Sequence, residues 1–411
     1  MATLLSVLDD IRASGETSRA DIVARTGLGR ALVNQRLGEL LSLALIAEGE
    51  LGASTGGRAP RTVRFNAGAG SVLAADLGAT GVDVALADLA GNLLAHRRAD
   101  TNVMDGPEKI LGCIGALMDE VLDEVGNGSP LWGVGVGVPG PVEFGTGRVV
   151  APPIMPGWAN YPIRETFAER YNAPVWVDND VNVLALGELR AGAAREQSNV
   201  VMVKLGTGIG AGIVMEGRLC RGAQGSAGDV GHIQARRDSE VICRCGKVGC
   251  LEALAGGQAL AREGAALADG GNEMLAERRR EQGTLDAADV LWAASRGDQE
   301  SVDLVGRCGV LIGEMLSSAV HFLNPALIVI GGRVADSSDV LLAAIRQTVY
   351  AQSLPFATRK LEIRSAQLGA NGGAVGVATM VVDELMALNR LAVWLPAGSP
   401  RGMPEIAAVP V

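Results

Sequence analysis

Aromatic side chains are scarce in this 411-residue chain: five Phe, five Trp and three Tyr, 3% in all. The interior must therefore be built mainly from Ala, Val, Leu and Ile, which dominate a sequence that is 48% hydrophobic. Charged residues reach only 20%, too few at that hydrophobicity for wholesale disorder. No stretch approaches the roughly 20 apolar residues that a bilayer span requires. Met1 to Ser14 reads as an amphipathic helix carrying Asp9 and Asp10, not as a secretory leader. The six cysteines are dispersed except for three between 243 and 250, which excludes a disulfide scaffold and fits a reduced, cytoplasmic protein with one metal site. Glycine, by contrast, is plentiful, and 56 of them imply many tight loops. The length suits two or three domains.

Positive charge is also in deficit. A net charge of −10 argues against nonspecific nucleic-acid binding by the whole molecule. The deficit is uneven, however. Residues 1–66 carry eight Arg and no Lys against seven acidic residues, a balance of +1, whereas the remainder stands at −11. The two segments are expected to meet different partners.

In the first segment Leu4, Leu5, Val7, Leu8 and Ile11 recur at helical spacing, and Gly15 ends that helix. A second helix opens at Ser18, whose hydroxyl can cap free backbone N–H groups with Asp21 as its capping-box partner, and closes at Thr26-Gly27. A third buries Leu32, Val33, Leu37, Leu40 and Leu41 and exposes Arg30, Asn34, Gln35 and Arg36, side chains that suit guanine and adenine edges. Three such helices would serve equally as a cap on an enzyme. The segment after the third helix decides between the two: Ile46 to Phe65 predicts a β-ribbon whose middle carries Gly57, Arg58 and Arg61, a second DNA contact suited to phosphates or a narrow minor groove. Residues 1–66 are expected to be a winged helix-turn-helix DNA-binding domain.

From Ser71 the chain restarts as strand, Asp76-Leu77-Gly78-Ala79-Thr80, strand, a pattern suited to phosphate. Glycine admits the backbone closely, Thr80 can bond an oxyanion, and Asp76 can hold Mg²⁺ through water. The strand Val200 to Lys204 runs into a second such turn, containing Gly206, Thr207, Gly208 and Gly210, and a third strand ends at Gly331-Gly332. No Gly-Lys-Ser/Thr is present at these turns, so this is not a Walker motif. The repetition predicts two α/β lobes around a nucleotide. Pro174 to Val177 predicts a strand leading through Asp178-Asn179-Asp180 into a helix. Asp180 there could take a proton from a substrate hydroxyl, while Asp and Asn are equally favoured as helix N-caps. The sharpest constellation is His232 with Cys243, Cys245 and Cys250: one imidazole and three thiolates suffice for a closed, structural zinc site.

Together these residues resemble the ROK family of repressors, open reading frames and sugar kinases, over about Val72 to Leu385, with the N-terminal module resembling its repressor branch. The family's signature run reads Gly222 to His232 here, with the cysteine motif and Leu251-Glu252 after it. The resemblance implies an actin-like, two-lobed sugar-kinase fold. It further implies Asn179, Asp180, Asp229, His232 and Glu252 as sugar ligands and Asp180 as base if phosphoryl transfer survives. Three departures bear on that chemistry: Asp229 replaces a usual Glu, Pro153 a sugar-contacting Asn, and Gly81 a common Lys.

The expected organisation is a DNA-binding domain at 1–66, lobes at 67–190 and 191–390, and a tail at 391–411. The expected function is a cytoplasmic, sugar-responsive transcriptional repressor that binds operator DNA as a homodimer or homotetramer, makes no membrane contact and carries structural Zn²⁺. The alternative is an ATP-dependent sugar kinase, with ATP and Mg²⁺ as cofactors only in that case, or a protein that does both.

Overall fold

Apolar residues at helical spacing in the first segment produce three helices, Ala2–Ser14, Arg19–Thr26 and Arg30–Ser42, in a computed structural model that describes residues 1–51, 61–126, 128–335 and 338–410. Gly57 and Arg58 lie outside the described residues. The Ser18 hydroxyl accepts from the Asp21 N–H at 3.2 Å, as the capping pattern requires. Gly27, at φ 68°, turns the chain out of the second helix in the left-handed conformation that glycine adopts without penalty. The strands Ile46–Leu51 and Arg61–Phe65 pair antiparallel, and the two-residue strand Thr17–Ser18 adds to the outer edge of the second. Leu8, Ile11, Ile22, Val33, Leu37, Leu40 and Val63 are fully buried between helices and ribbon. Helix, turn, helix and β-ribbon follow the winged helix-turn-helix pattern.

The body contains two five-stranded sheets of one pattern. In the first, Ser71–Leu77, Gly81–Asp88 and Leu93–Asp100 run as an antiparallel meander, and Leu131–Val138 and Val175–Asn179 add parallel on its other side. In the second, Val200–Leu205, Ile209–Met215 and Arg218–Leu219 form the meander, and Leu327–Gly331 and Glu362–Ser365 add parallel. This duplicated mixed sheet with helices on its faces is the actin-like sugar-kinase architecture. Period-2 alternation buries both faces of each sheet. Leu73, Ala75 and Leu77 face the helix Pro107–Val125, while Val72 and Ala74 face the helix Gly372–Met386.

The expected lobe boundary is corrected by that last helix. Gly372–Met386 does not stay with the second sheet but returns to the first, packing on its central strands and along the helix Asp180–Ala191. Glycine permits the approach: a Cβ on Gly187 would collide with the Gly372 carbonyl oxygen, and one on Gly376 with that of Val183. Residues of the segment set apart as a tail, 391–411, pack on the first lobe. Trp394 packs edge-on against Trp132 at 5.3 Å and donates its indole N–H to the Leu385 carbonyl at 2.8 Å, and Ile406 and Ala407 are buried beyond it. The N-terminal module shares this core. Its Arg12 donates to Asp383 at 2.8 Å with the side chain only 9% exposed, its guanidinium facing the Phe65 ring. No helix among the described residues is long and apolar enough to cross a membrane.

Candidate functional site

A cleft of about 340 Å³ opens between the two sheets. It is lined by the ends of the strands, where the turns bring glycine and carboxylate residues together: Asp76, Gly78, Thr80, Asn179, Asp180, Gly206, Thr207, Gly208, Gly210, Asp229, His232, Glu252 and Gly332. Nearly every residue singled out for sugar or nucleotide is thus in one place. The exception is Gly331, which is fully buried behind the cleft against Ala366 and Met202, where its missing side chain makes room for packing.

Asp76 ends its strand at the floor of the cleft. Its Oδ1 is buried with no hydrogen-bond partner, an orphaned acceptor of the kind a cation or a hydrated ligand satisfies. Burial pushes its carboxyl up to about 6, Lys204 opposes that rise, and the negative charges of Asp180 and Asp83 add to it. Asp180 occupies the first turn of the helix Asp180–Ala191, where the helix dipole favours an anion, and its Oδ2 accepts from Lys204 Nζ at 2.8 Å.

Asn179 does what the helix-cap alternative expects. Its Oδ1 accepts from the N–H groups of Val181 and Asn182, at 2.9 and 3.4 Å, and its Nδ2 donates to the Gly140 carbonyl at 3.0 Å. Glu252 sits on the short helix Leu251–Ala255 and accepts from the Ile209 N–H at 3.2 Å, which fixes its Oε2 over the second glycine turn. Asp229 is exposed, its Oδ1 3.9 Å from His232 Nε2.

His232 turns its other ring nitrogen away from the cleft. Nδ1 lies 3.5 Å from Cys243 Sγ, Cys245 and Cys250 sulfurs are 3.7 Å apart, and the four ligand atoms all lie within 4.8 Å of one another. Ligands at ordinary Zn–S and Zn–N distances would stand about 3.8 and 3.6 Å apart in a tetrahedron, so the donor set fits a tetrahedral metal with all four positions filled by protein. Burial, with the neighbouring thiols, pushes Cys250 up to about 12.

Several residues in and around the cleft escape a reading of the sequence. Lys204 and Arg98 enter it from strands in which a charged residue ordinarily marks a solvated face. Arg221 stacks on Phe144 at 3.7 Å and donates to the buried Asp178 at 2.7 Å, holding the segment before Asn179 and Asp180. No local pattern announces either partnership. For Lys204 the one available signal is its position, immediately before a glycine turn in an otherwise apolar strand.

On the DNA-binding module, Arg30 and Asn34 are exposed on the third helix. Arg36 is corrected: it folds back, donating to Thr3 at 3.0 Å and to both Glu39 oxygens at 2.8 Å, and so braces the first helix against the third. Gln35 donates to the same Glu39 at 3.1 Å, and Arg61 is paired with Glu48 across the ribbon at 2.6 Å.

Known proteins divide in the same way as the chain. A model of the ROK family matches residues 72–384. A glucokinase of Halalkalibacterium halodurans is 34% identical over 319 residues, which cover 77% of this chain and 96% of that protein. A xylose repressor of Caldicellulosiruptor bescii is 28% identical over 389 residues, covering 94% of this chain and 97% of its own. Among solved structures, a ROK family transcriptional regulator, a homolog of the E. coli MLC protein, superposes with a TM-score of 0.83 at 26% identity, covering 96% of this chain and 98% of that one.

Proposed function

The chain belongs to the ROK family, and we propose that within it this protein is a sugar-responsive transcriptional repressor, with the exposed face of the third helix and the β-ribbon as its operator-reading surface. One observation carries the proposal: the N-terminal module shares a core with, and is ion-paired to, the last helix, which begins at the cleft and packs along a second helix that also begins there. The helix Asp180–Ala191 starts with Asp180, and Gly373, in the first turn of Gly372–Met386, backs directly onto the Asp76 carboxylate. The two helices touch backbone to backbone, and near the far end of the second Asp383 accepts from Arg12 of the module. The repressor relatives, which extend over both parts of the chain, support the same reading.

In this reading a sugar lies between Asp180 and Asn179 of the first lobe and Asp229, His232 and Glu252 of the second. Its hydroxyls bridge carboxylates from both sides, so that binding draws the lobes together and shifts the helix pair under the module. A zinc ion held by His232, Cys243, Cys245 and Cys250 fixes the loop that carries His232 to the cleft, a structural role because no coordination position is left for water. The repressor acts as a dimer or tetramer, since two-fold symmetry matches paired half-sites.

The second reading, an ATP-dependent sugar kinase, is favoured by Asp76 and Asp180 sharing the cleft with both glycine turns. Asp76, Thr80 and the turn Gly206–Gly210 would hold Mg²⁺ and nucleotide, and Asp180 would receive the sugar hydroxyl's proton. Titration of selected operator fragments with xylose, glucose and N-acetylglucosamine tests the sensor. One sugar should weaken DNA binding by roughly 5- to 150-fold, and the operator should weaken that sugar by the same factor. An affinity that no sugar alters removes the sensing claim, and steady ADP release with sugar and ATP would promote the kinase.

A further inference from the structure

We propose that Lys204, ion-paired to Asp180 and within electrostatic reach of Asp76, is a resident counter-ion of the cleft, so that the cleft accepts a neutral sugar without a divalent metal. The inference rests on the reading of the cleft as a sugar site and adds how that site is charged.

The strand Val200–Leu205 determines where this lysine points. Val201, Val203 and Leu205 face the core of the second lobe, while Val200 and Met202 face Leu184 and Ala185 of the helix Asp180–Ala191. Lys204 is the next residue on that second face and therefore meets the helix at its first turn. There Nζ donates to Asp180 Oδ2 at 2.8 Å, with the lysine side chain 22% and the aspartate 10% exposed. Burial alone would depress the ammonium, but the Asp180 and Asp76 carboxylates outweigh it and hold Lys204 charged.

The consequence is electrostatic. Two carboxylates facing a cleft without Lys204 present two negative charges, the arrangement a divalent ion neutralises. With Lys204 one charge is already matched, and a divalent ion beside Asp76 would meet an ammonium held in a partly water-excluded site, where repulsion is strong. The pairing changes Asp180 as well. The ammonium bonded to Oδ2 holds the carboxylate in place, and Oδ1 is left to accept a sugar hydroxyl. Lys204 thereby holds Asp180 as a fixed hydrogen-bond acceptor.

The test compares the full chain with Lys204→Met, which keeps the length and removes the charge, and Lys204→Arg, which keeps the charge. Mn²⁺ binding is followed by electron paramagnetic resonance on zinc-loaded protein, and sugar binding by calorimetry with and without Mg²⁺ and ATP. Lys204→Met should bind one Mn²⁺ at least tenfold more tightly than the unaltered protein, Lys204→Arg should not, and adding Asp76→Asn to Lys204→Met should abolish the gain. Sugar affinity of the unaltered protein should be the same with and without Mg²⁺. Equal Mn²⁺ affinity in the unaltered and Lys204→Met proteins overturns the proposal. So does ADP release by the unaltered protein that Lys204→Met loses, which would make the lysine a phosphate ligand. Should Lys204→Met not fold, Lys204→Gln carries the same comparison. Failure of every sugar to bind any of the proteins would reject the sugar reading, while the Mn²⁺ comparison would still decide the role of Lys204.

Discussion

A single carboxyl at the cleft floor illustrates how function and stability oppose one another. Asp76 is held with its ordinary pKa of 3.8 raised to about 6, chiefly by burial. A raised carboxyl binds its proton more tightly in the folded chain than in the unfolded one, so its contribution to stability falls as pH rises through that interval and stays lost above it. Asp76→Asn should therefore raise the thermal midpoint at pH 7.5, by up to about 3 kcal/mol of stability, and leave it little changed at pH 4, as melting curves at the two pH values would reveal. Two arginines of the third helix make a second residue-scale contrast. Arg30 is exposed, and Arg30→Ala should weaken operator binding by about 1–3 kcal/mol in a filter or fluorescence assay if it reads a guanine. Arg36 is tied to Thr3 and Glu39, so Arg36→Ala should instead lower the module's stability. The spacing of apolar residues announces which face of that helix is buried, but not that one of its arginines turns inward to brace a neighbour, because that partner lies 33 positions away.

At the scale of elements, one contact depends on atoms that glycine lacks. The helices Asp180–Ala191 and Gly372–Met386 meet only because Gly187 and Gly376 have no Cβ. Gly187→Ala would drive a methyl into the Gly372 carbonyl, a backbone atom that cannot rotate away, and should cost about 1–3 kcal/mol on thermal or urea unfolding while weakening the sugar response. The cysteine loop gathers four residues that could hold a metal ion. Cys245→Ser should lose most of the bound zinc, measured by metal analysis after gel filtration, and with it the hold on His232, lowering sugar affinity and melting temperature together. Undiminished zinc and sugar binding would count against the ligand set. The metal motif is legible in the sequence because its ligands are local, three of them within eight residues, and coordination chemistry restricts which residue types can serve. The helix contact is not legible, since its glycines lie nearly 200 positions apart.

For the whole molecule the question is how a cleft in the body speaks to a reader at its end. The only ion pair between the module and the body among the described residues that a helix of the cleft also carries is Arg12–Asp383, with Arg12 almost buried and Asp383 half exposed. Arg12→Ala should leave operator affinity without sugar within a few-fold of the unaltered protein and reduce the sugar-induced loss of binding, read as the ratio of DNA affinities with and without sugar. A double-mutant cycle with Asp383→Asn should return a coupling of about 0.5–3 kcal/mol. A sugar response of full size in Arg12→Ala would direct attention away from this contact.

The N-terminal helices and ribbon, the duplicated strand-and-glycine pattern and the cluster of His232 with three cysteines are legible in the sequence alone, because most of their parts are neighbours along the chain: helix and strand periodicity, caps, tight turns and closely spaced thiols. Packing alone decided the rest. The last helix leaves the second lobe for the first, the final residues complete a core instead of trailing from it, and a lysine from one lobe reaches an aspartate of the other. Those outcomes turn on the burial of apolar faces and the pairing of buried charge across long sequence separations, where no local spacing records which partner will arrive.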